Sequence, residues 1–308
     1  MQNILWFGGI KDLTEDSRTL AQIMDDLVTY KFTGLAYAQG AWKTDGAIAY
    51  TTGKDNQVLQ GALIIAAAHA RGLKVYGSLW AGTWNPEFCP ELTSGSVRAK
   101  MASGLTDLIS SINFDVFIDD IEDYQVSTSA HAEWAKLMGQ TLHSLGKKSA
   151  VYYYLSEAAP IYKTFFPLIS SEYTDFMVIH FYPNNAEWMF NTQVCYNGLL
   201  TYLPSSVKWM AQCRCQPRGS ASDYSAPENM TDNISFYDSI YGSGFAANFE
   251  GFTVWYDWYL YGAELELWNN WELKNIDTTI ISDKSGINIL LGILVLLVVA
   301  LVHMGGEQ

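Results

Sequence analysis

The feature of the sequence that most constrains its fold is a regular alternation of short β-branched and aromatic runs with stretches of helical periodicity. Such runs are typical of buried strands. The eight candidate strands, each four to eight residues long, are Ile4–Phe7, Gly34–Tyr37, Lys74–Leu79, Phe114–Ile121, Ser149–Leu155, Asp175–Tyr182, Val207–Cys213 and Gly251–Trp258.

Between these strands, apolar residues recur at the i, i+3, i+4, i+7 spacing that buries one face of a helix. Gly72 and Gly146 each stand between a helical stretch and a strand, where glycine takes the left-handed conformation that ends a helix. Eight strand-then-helix units are typical of a closed barrel, whereas a doubly wound sheet usually has fewer strands and a phosphate-binding glycine motif. No GxGxxG or Walker A sequence occurs. We therefore predict an α/β fold, a (β/α)8 TIM barrel over residues 1–275, followed by a single C-terminal hydrophobic helix.

The charge and aromatic content of the chain indicate which kinds of molecule it could bind. The 308 residues include 32 acidic and 18 basic side chains, which gives a formal net charge of -14. Nucleic acid is excluded as a partner, because phosphate binding needs a surface rich in Lys and Arg. Aromatic residues make up 14% of the chain, with 11 Trp and 19 Tyr, so an aromatic-rich core or cleft that could stack on sugar rings is expected. No cofactor is implied.

Four cysteines are too few for a disulfide scaffold in a chain of this length. Cys213 and Cys215 are two residues apart, which puts both thiols on one face of a strand rather than in a zinc-binding turn. No metal site is therefore predicted. Whether the cysteines form one or two disulfides or remain free thiols stays open.

The C-terminal segment 287–304, INILLGILVLLVVALVHM, is apolar except for Asn288 and His303. It is long enough to cross a thin bilayer as a helix, so we predict a membrane anchor joined to the barrel by a linker over 276–286. A buried core helix is the alternative. The sequons at Asn229 and Asn233 favour an extracellular barrel. A cytoplasmic barrel stays open, because MQNILWFGGI has no export signal.

The fourth candidate strand ends in a cluster of acids, FDVFIDDIEDY over 114–124. Because side chains alternate along a strand, Asp120 and Glu122 point to one face and Asp119 points to the other. If the first face is the barrel interior, two carboxylates lie about 6–7 Å apart at the barrel mouth. Partial burial then keeps one carboxyl group protonated, as a general acid requires. A solvated loop entry and a divalent-cation site are the alternatives.

The sequence resembles the glycoside hydrolase family 18 chitinases, whose fourth strand carries DxxDxDxE. This chain has Asp115, then Ile118 at the second acid, then Asp120 and Glu122. Segment 175–182 resembles the sixth strand of the family, which ends in a tyrosine, and segment 251–255 resembles its eighth strand, which ends in a tryptophan. Segment 73–78 resembles its third strand, although Trp80 follows where the family has glycine.

This resemblance implies hydrolysis of β-linked N-acetylhexosamine glycans by substrate-assisted retaining catalysis. Glu122 would be the acid and base, and Asp120 would orient the 2-acetamido group, whose carbonyl is the nucleophile. The hydroxyl of Tyr182 would hold that group. The residues expected to bind substrate are Trp255, Trp80, His180, Asp119 and Asp115.

Ile118 and His180 depart from the family pattern. A carbohydrate-binding barrel of lectin type, with little or no turnover, is therefore the main alternative to an enzyme. A structural or adhesive surface protein whose acidic loop binds calcium is the third possibility.

Overall fold

The computed structural model describes residues 2–7, 19–30, 32–82, 85–122, 127–154, 162–180, 201–215 and 248–256. Nine strands of these residues form one sheet. In chain order they are β1 (Gln2–Phe7), β2 (Gly34–Trp42), β3 (Ile48–Tyr50), β4 (Lys74–Gly82), β5 (Val116–Glu122), β6 (Lys148–Tyr154), β7 (Phe176–His180), β8 (Lys208–Cys215) and β9 (Phe249–Tyr256).

All strands except β3 pair in parallel and close into a ring. The order around the ring is β1, β2, β4, β5, β6, β7, β8 and β9, and β9 pairs with β1 to complete it. Each of the eight predicted strands overlaps one strand of this ring, so the prediction of an α/β fold with a closed eight-stranded barrel is confirmed. The fourth strand of the ring is β5, which carries the acidic cluster.

Helices follow most of the strands on the outer side of the ring. They are α1 (Leu20–Thr29), α2 (Lys54–His69), α3 (Gly95–Ser111), α4 (Thr128–Ser144) and the short α5 (Tyr162–Phe165), with 3-10 turns at Pro86–Phe88 and Phe166–Leu168. The predicted helix ends are confirmed, since Gly72 and Gly146 have φ values of 74° and 70°. Thr19 begins α1 with a capping box, in which its hydroxyl accepts from the N–H of Gln22.

The apolar core has two layers separated by the ring. Inside the barrel, one cluster joins Ala36, Tyr76, Val116, Ile118, Ala150, Tyr152, Phe176, Val178 and Met210. Outside, a larger cluster fills the space between the strands and the helices, and it includes Trp134 and Met138 of α4. The same strands therefore bury both faces, which explains their continuous apolar runs.

The antiparallel strand β3 was not predicted from the sequence. It forms a hairpin with β2, in which Gly40 pairs with Tyr50 and Trp42 pairs with Ile48. Gly40 has φ 148°, and a Cβ there would lie 2.0 Å from the carbonyl oxygen of Ala49. Glycine is therefore required where β2 bulges and turns out of the ring.

At the N-terminal face of the barrel, His69 in the last turn of α2 contacts Asp115, with 2.9 Å between Nε2 and Oδ2. The same carboxylate oxygen accepts a hydrogen bond from the backbone N–H of Val75 at 2.7 Å. Asp115 precedes β5 and lies at the end opposite to the predicted site. It joins α2 to two strands, and this position contradicts the predicted substrate-binding role of Asp115.

A second histidine–aspartate pair of the same kind lies before strands β6 and β7, as the first pair lies before β4 and β5. His143, in the last turn of α4, has Nε2 2.9 Å from Oδ2 of Asp175, which also accepts from the N–H of Ser149 at 2.9 Å. Ser149 is the second residue of β6, as Val75 is of β4. These two histidine–aspartate pairs close the N-terminal face at equivalent positions.

No helix in the described ranges is long and apolar enough to span a bilayer. The predicted linker over 276–286 and the predicted anchor over 287–304 lie outside those ranges.

Candidate active site

Strand β5 carries the predicted catalytic acids on its inner face. Ile118 belongs to the barrel interior, and the alternation of the strand brings Asp120 and Glu122 to the same side nearer the mouth. Asp120 is 2% exposed, and Glu122 is half-buried as the last residue of the strand. The two carboxyl groups thus differ in depth, with the aspartate below the glutamate.

Burial raises the pKa of Asp120 well above the usual range of an aspartate, and the charges of Glu122 and Asp119 raise it further. Its Oδ1 has no hydrogen-bond partner among the described residues. The sequence predicts that one carboxyl group of this pair stays protonated, and burial disfavours the charged form of Asp120, the deeper of the two.

Trp80 lies beside this pair at the C-terminal end of β4. In the register of β4 and β5, Trp80 is level with Asp120, and Gly82 is level with Glu122. The indole N–H of Trp80 donates a long hydrogen bond of 3.4 Å to Oε2 of Glu122. The structure therefore brings together Trp80, Asp120 and Glu122, three of the residues predicted from the sequence.

The hairpin of β2 and β3 supports this side of the mouth. Thr44 in its turn donates from its hydroxyl to the carbonyl of Pro86 at 2.7 Å, and its backbone N–H donates to the carbonyl of Glu87 at 3.0 Å. Phe88 of the same 3-10 turn packs edge-on against Trp80, with ring centroids 6.1 Å apart. The hairpin thus fixes the segment that positions Trp80.

Polar residues continue around the inner face below the mouth. Ser78 of β4, Gln212 of β8 and Thr253 of β9 are each buried at inward positions. Gln212 and Thr253 are level with each other in the sheet. Sequence reasoning missed these residues, although a polar residue at the inward phase of a barrel strand is a signal that could have indicated them.

Asp119 points away from the mouth, into the layer between the ring and the helices. Its Oδ2 accepts a hydrogen bond of 2.8 Å from the indole N–H of Trp134 on α4. His131, one turn earlier on α4, has Nε2 3.6 Å from the same oxygen. This placement corrects the predicted substrate-binding role of Asp119, because the carboxylate is fully buried behind the strand.

The other predicted residues are described in part or not at all. His180 ends β7, level with Gln212, and Trp255 lies near the end of β9, level with Arg214. Their backbones therefore reach the C-terminal edge of the ring, while their side chains lie outside the described part of the structure. Tyr182 lies outside the described residues altogether.

Within the described ranges, no group of three or more His, Cys, Asp or Glu side chains is placed to hold a metal ion. The acids of β5 do not form such a group there, because Asp119 faces the opposite side of the strand from Asp120 and Glu122.

No family model matches the sequence, and no curated protein matches it. Solved structures do match the fold. The Group IV chitinase of Ostrinia furnacalis has 11% sequence identity and a TM-score of 0.62, and the match covers 89% of this chain and 99% of that chain. The family 18 chitinase of Crocus vernus has 13% identity and a TM-score of 0.52, covering 91% and 99%.

The chain has the barrel fold of the family 18 chitinases. The spore cortex-lytic enzyme SleL of Bacillus megaterium is also similar in structure, with 11% identity and a TM-score of 0.57, and the match covers 89% of this chain and 73% of that chain. At these identities the likeness concerns the fold. The chemistry has to be argued from the side chains at the barrel mouth.

Proposed function

We propose that the chain is a glycoside hydrolase that cleaves β-linked N-acetylhexosamine glycans, with Glu122 as acid and base. One observation carries this proposal: a buried carboxyl group with a raised pKa, Asp120, lies next to a half-buried one, Glu122, at the inner C-terminal end of a barrel strand. Barrel enzymes hold their reacting groups at this end of the strands. The fold shared with chitinases supports the same activity.

The difference in depth between the two acids gives each a role. At rest the proton is on Asp120, because burial disfavours its charged form. When a glycan covers the mouth and excludes water, Glu122 loses solvation and takes that proton. Protonated Glu122 then donates it to the glycosidic oxygen as the bond to C1 breaks. The indole N–H of Trp80 beside Oε2 keeps the Glu122 carboxyl group turned toward the mouth.

Loss of the proton leaves Asp120 as a carboxylate at the moment when a hydrogen-bond acceptor is needed. It accepts from the N–H of the substrate's 2-acetamido group, and this makes the amide carbonyl oxygen a better nucleophile. That oxygen attacks C1, the leaving group departs, and Glu122 then takes a proton from the water that opens the cyclic intermediate. The anomeric configuration is retained. In this proposal Tyr182 and His180 contact the acetamido group, and Trp255 and Trp80 pack against sugar rings.

Glu122→Gln tests the acid directly. We expect hydrolysis of an aryl N-acetyl-chitooligosaccharide to fall at least about 100-fold, because the amide cannot donate the proton. Asp107→Asn, which removes one exposed carboxylate of α3, is the control and should keep wild-type rates. Equal rates for Glu122→Gln and wild type would remove Glu122 as the acid.

A second comparison tests the nucleophile. The same aryl oligosaccharide without its acetyl groups has no amide carbonyl, so its cleavage should be lost while binding persists. Equal cleavage of both substrates would reject the assisted mechanism. Binding of acetylated oligosaccharide with no turnover by wild type would instead favour the carbohydrate-binding barrel, for which the replacement of an acid by Ile118 is the supporting observation.

A further inference from the structure

Asp119 is a fully buried acid that the catalytic proposal does not use. It lies between Ile118 and Asp120 on β5 but faces α4, where the indole N–H of Trp134 donates to its Oδ2 at 2.8 Å. Its other oxygen has no partner among the described residues. A carboxylate in an apolar layer is costly unless a counter-charge or several donors stabilise it.

His131 is placed to provide that counter-charge. Its Nε2 lies 3.6 Å from Oδ2 of Asp119, within ion-pair range but longer than a hydrogen bond. His131 is 7% exposed, and its imidazole stacks on Phe165 of α5 with ring centroids 4.7 Å apart. Phe165 in turn stacks on Tyr153 of β6 at 5.4 Å. The histidine is therefore held in a fixed position against the carboxylate.

The groups around the two aspartates are mostly uncharged in the described structure. From β4, Leu79 and Ala81 flank Asp119 on its own face, and Trp80 is level with Asp120. From the other side, β6 contributes tyrosines, while Lys163 of α5 is exposed. Among the described residues, His131 lies within ion-pair distance of Asp119. The charges that act on Asp120 are those of Glu122 and Asp119.

We propose that Asp119 is a positioning residue whose negative charge, only partly offset by His131, favours the protonated form of Asp120. Asp119 and Asp120 are neighbouring residues of one strand and both are buried. The charge of the Asp119 carboxylate therefore acts on the Asp120 carboxyl group over a short distance from which water is excluded. Asp119 anchors the strand to α4 and also sets the proton affinity of the residue next to it. The catalytic consequence rests on the proposed function, whereas the coupling of the charges does not.

The coupling is measured by titrating the aspartate ¹³Cγ signals of the full chain, with Asp120→Asn used to identify the signal of Asp120. Asp119→Asn keeps an oxygen for the indole N–H but removes the charge. We expect the midpoint of Asp120 to move to lower pH by at least about half a unit. His131→Gln leaves the charge of Asp119 unbalanced, so it should move the same midpoint to higher pH.

Opposite shifts in the two variants separate this role from a merely structural one, which would lower thermal stability in both and move the titration of Asp120 in neither. Asp107→Asn removes an exposed charge of α3 and should leave the midpoint unchanged. If Asp119→Asn does not fold, Asp119→Ser should give the same downward shift. No shift, or shifts of the same sign in the asparagine and glutamine variants, would overturn the proposal.

The titration does not depend on turnover. A chain that shows the opposite shifts but hydrolyses no glycan supports the coupling and contradicts the proposed function. A chain that hydrolyses chitooligosaccharides but shows no shift keeps the function and loses the inference. In an active enzyme, the alkaline limb of the pH–rate profile should move in the same direction as the midpoint of Asp120 in each variant, because the proton on Asp120 is the one that Glu122 donates.

Discussion

At the scale of single residues, the buried carboxyl group of Asp120 makes the stability of the barrel depend on pH. Its pKa is raised in the folded chain by burial and by the nearby charges of Glu122 and Asp119. Between the ordinary aspartate pKa and this raised value, the folded chain holds one more proton than the unfolded chain. The contribution of Asp120 is therefore fully present at low pH and is lost as pH rises through the folded pKa.

Asp120→Asn should remove this dependence, since an amide has no proton to lose. We expect the variant to melt at a higher temperature than wild type at pH 8 and to differ from it much less at pH 4. Thermal melts from pH 4 to pH 8 measure the difference in melting temperature between Asp120→Asn and wild type, with Asp107→Asn as a surface control. A difference that stays constant or becomes smaller as pH rises would contradict the prediction.

How far the site could be predicted differs from residue to residue. Alternation along the strand was enough to predict that Asp120 and Glu122 share a face and that Asp119 does not. Which acid is buried deeper depends on where β5 ends relative to the mouth, and the sequence does not show this. The partner of Asp119 could not be predicted either, because Trp134 meets it only through the packing of α4 on β5.

At the scale of secondary-structure elements, helix α4 packs so closely that one glycine has no room for a side chain. A Cβ at Gly139 would lie 1.8 Å from the carbonyl oxygen of Tyr173. At Gly104 of α3, the nearest atom to an added Cβ is Cδ1 of Ile48 at 3.5 Å, an ordinary contact. The two helices have the same length, 17 residues, so the pair forms a matched comparison.

Gly139→Ala should destabilise the fold by about 2 kcal/mol or more, because the backbone must shift to admit the methyl group. Gly104→Ala should instead stabilise it by about 0.5–1 kcal/mol through the better helix propensity of alanine. Urea denaturation of both variants measures the two values. Similar changes in stability for the two variants would contradict the close approach of Gly139 to the backbone of Tyr173.

The two histidine–aspartate pairs at the N-terminal face give a prediction about helix anchoring. Asp115→Ala and Asp175→Ala each remove an acceptor for a histidine and for a strand N–H. Each should cost about 1–2 kcal/mol of unfolding free energy, reduced from a buried value because the pairs are partly exposed. The costs should add, since the pairs share no partner.

In the proposed glycosidase reaction, the rate of Asp115→Ala should match that of wild type at a temperature at which both are folded. The family resemblance alone would assign this acid to the motif of the active strand, whereas the structure places it at the opposite face. A fall in kcat without a fall in stability would restore Asp115 to the site.

The strands of the ring were easier to predict from the sequence than strand β3 and its contacts. The eight ring strands are long or apolar enough to be visible in the sequence, and they repeat at regular spacing. Strand β3 has only Ile48–Tyr50, three half-buried residues whose extended form depends on pairing with β2. The turn between β2 and β3 contacts Pro86 through the hydroxyl of Thr44. These residues are far apart in the sequence, so no local sequence pattern could predict the contact.

At the scale of the whole molecule, the apolar segment 287–304 remains a sequence-based prediction. We expect the full chain to sediment with membranes and to be released by detergent, as a membrane-anchored protein would be. A chain that ends after residue 286 should remain in the supernatant with its hydrolytic rate unchanged. A full chain that stays in the supernatant without detergent would contradict the anchor.

The pairing of β9 with β1 joins the two ends of the barrel sequence through five residue pairs. Phe249–Tyr256 is the last of the described strands to be synthesised, so a nascent chain that ends between β8 and β9 presents β1 and β8 as unpaired hydrogen-bonding edges. Two such chains on one messenger could pair edge to edge before either ring closes. Completion of the ring is therefore a late event in biosynthesis, and a pause in translation shortly before residue 249 is where misassembly between neighbouring nascent chains should be greatest.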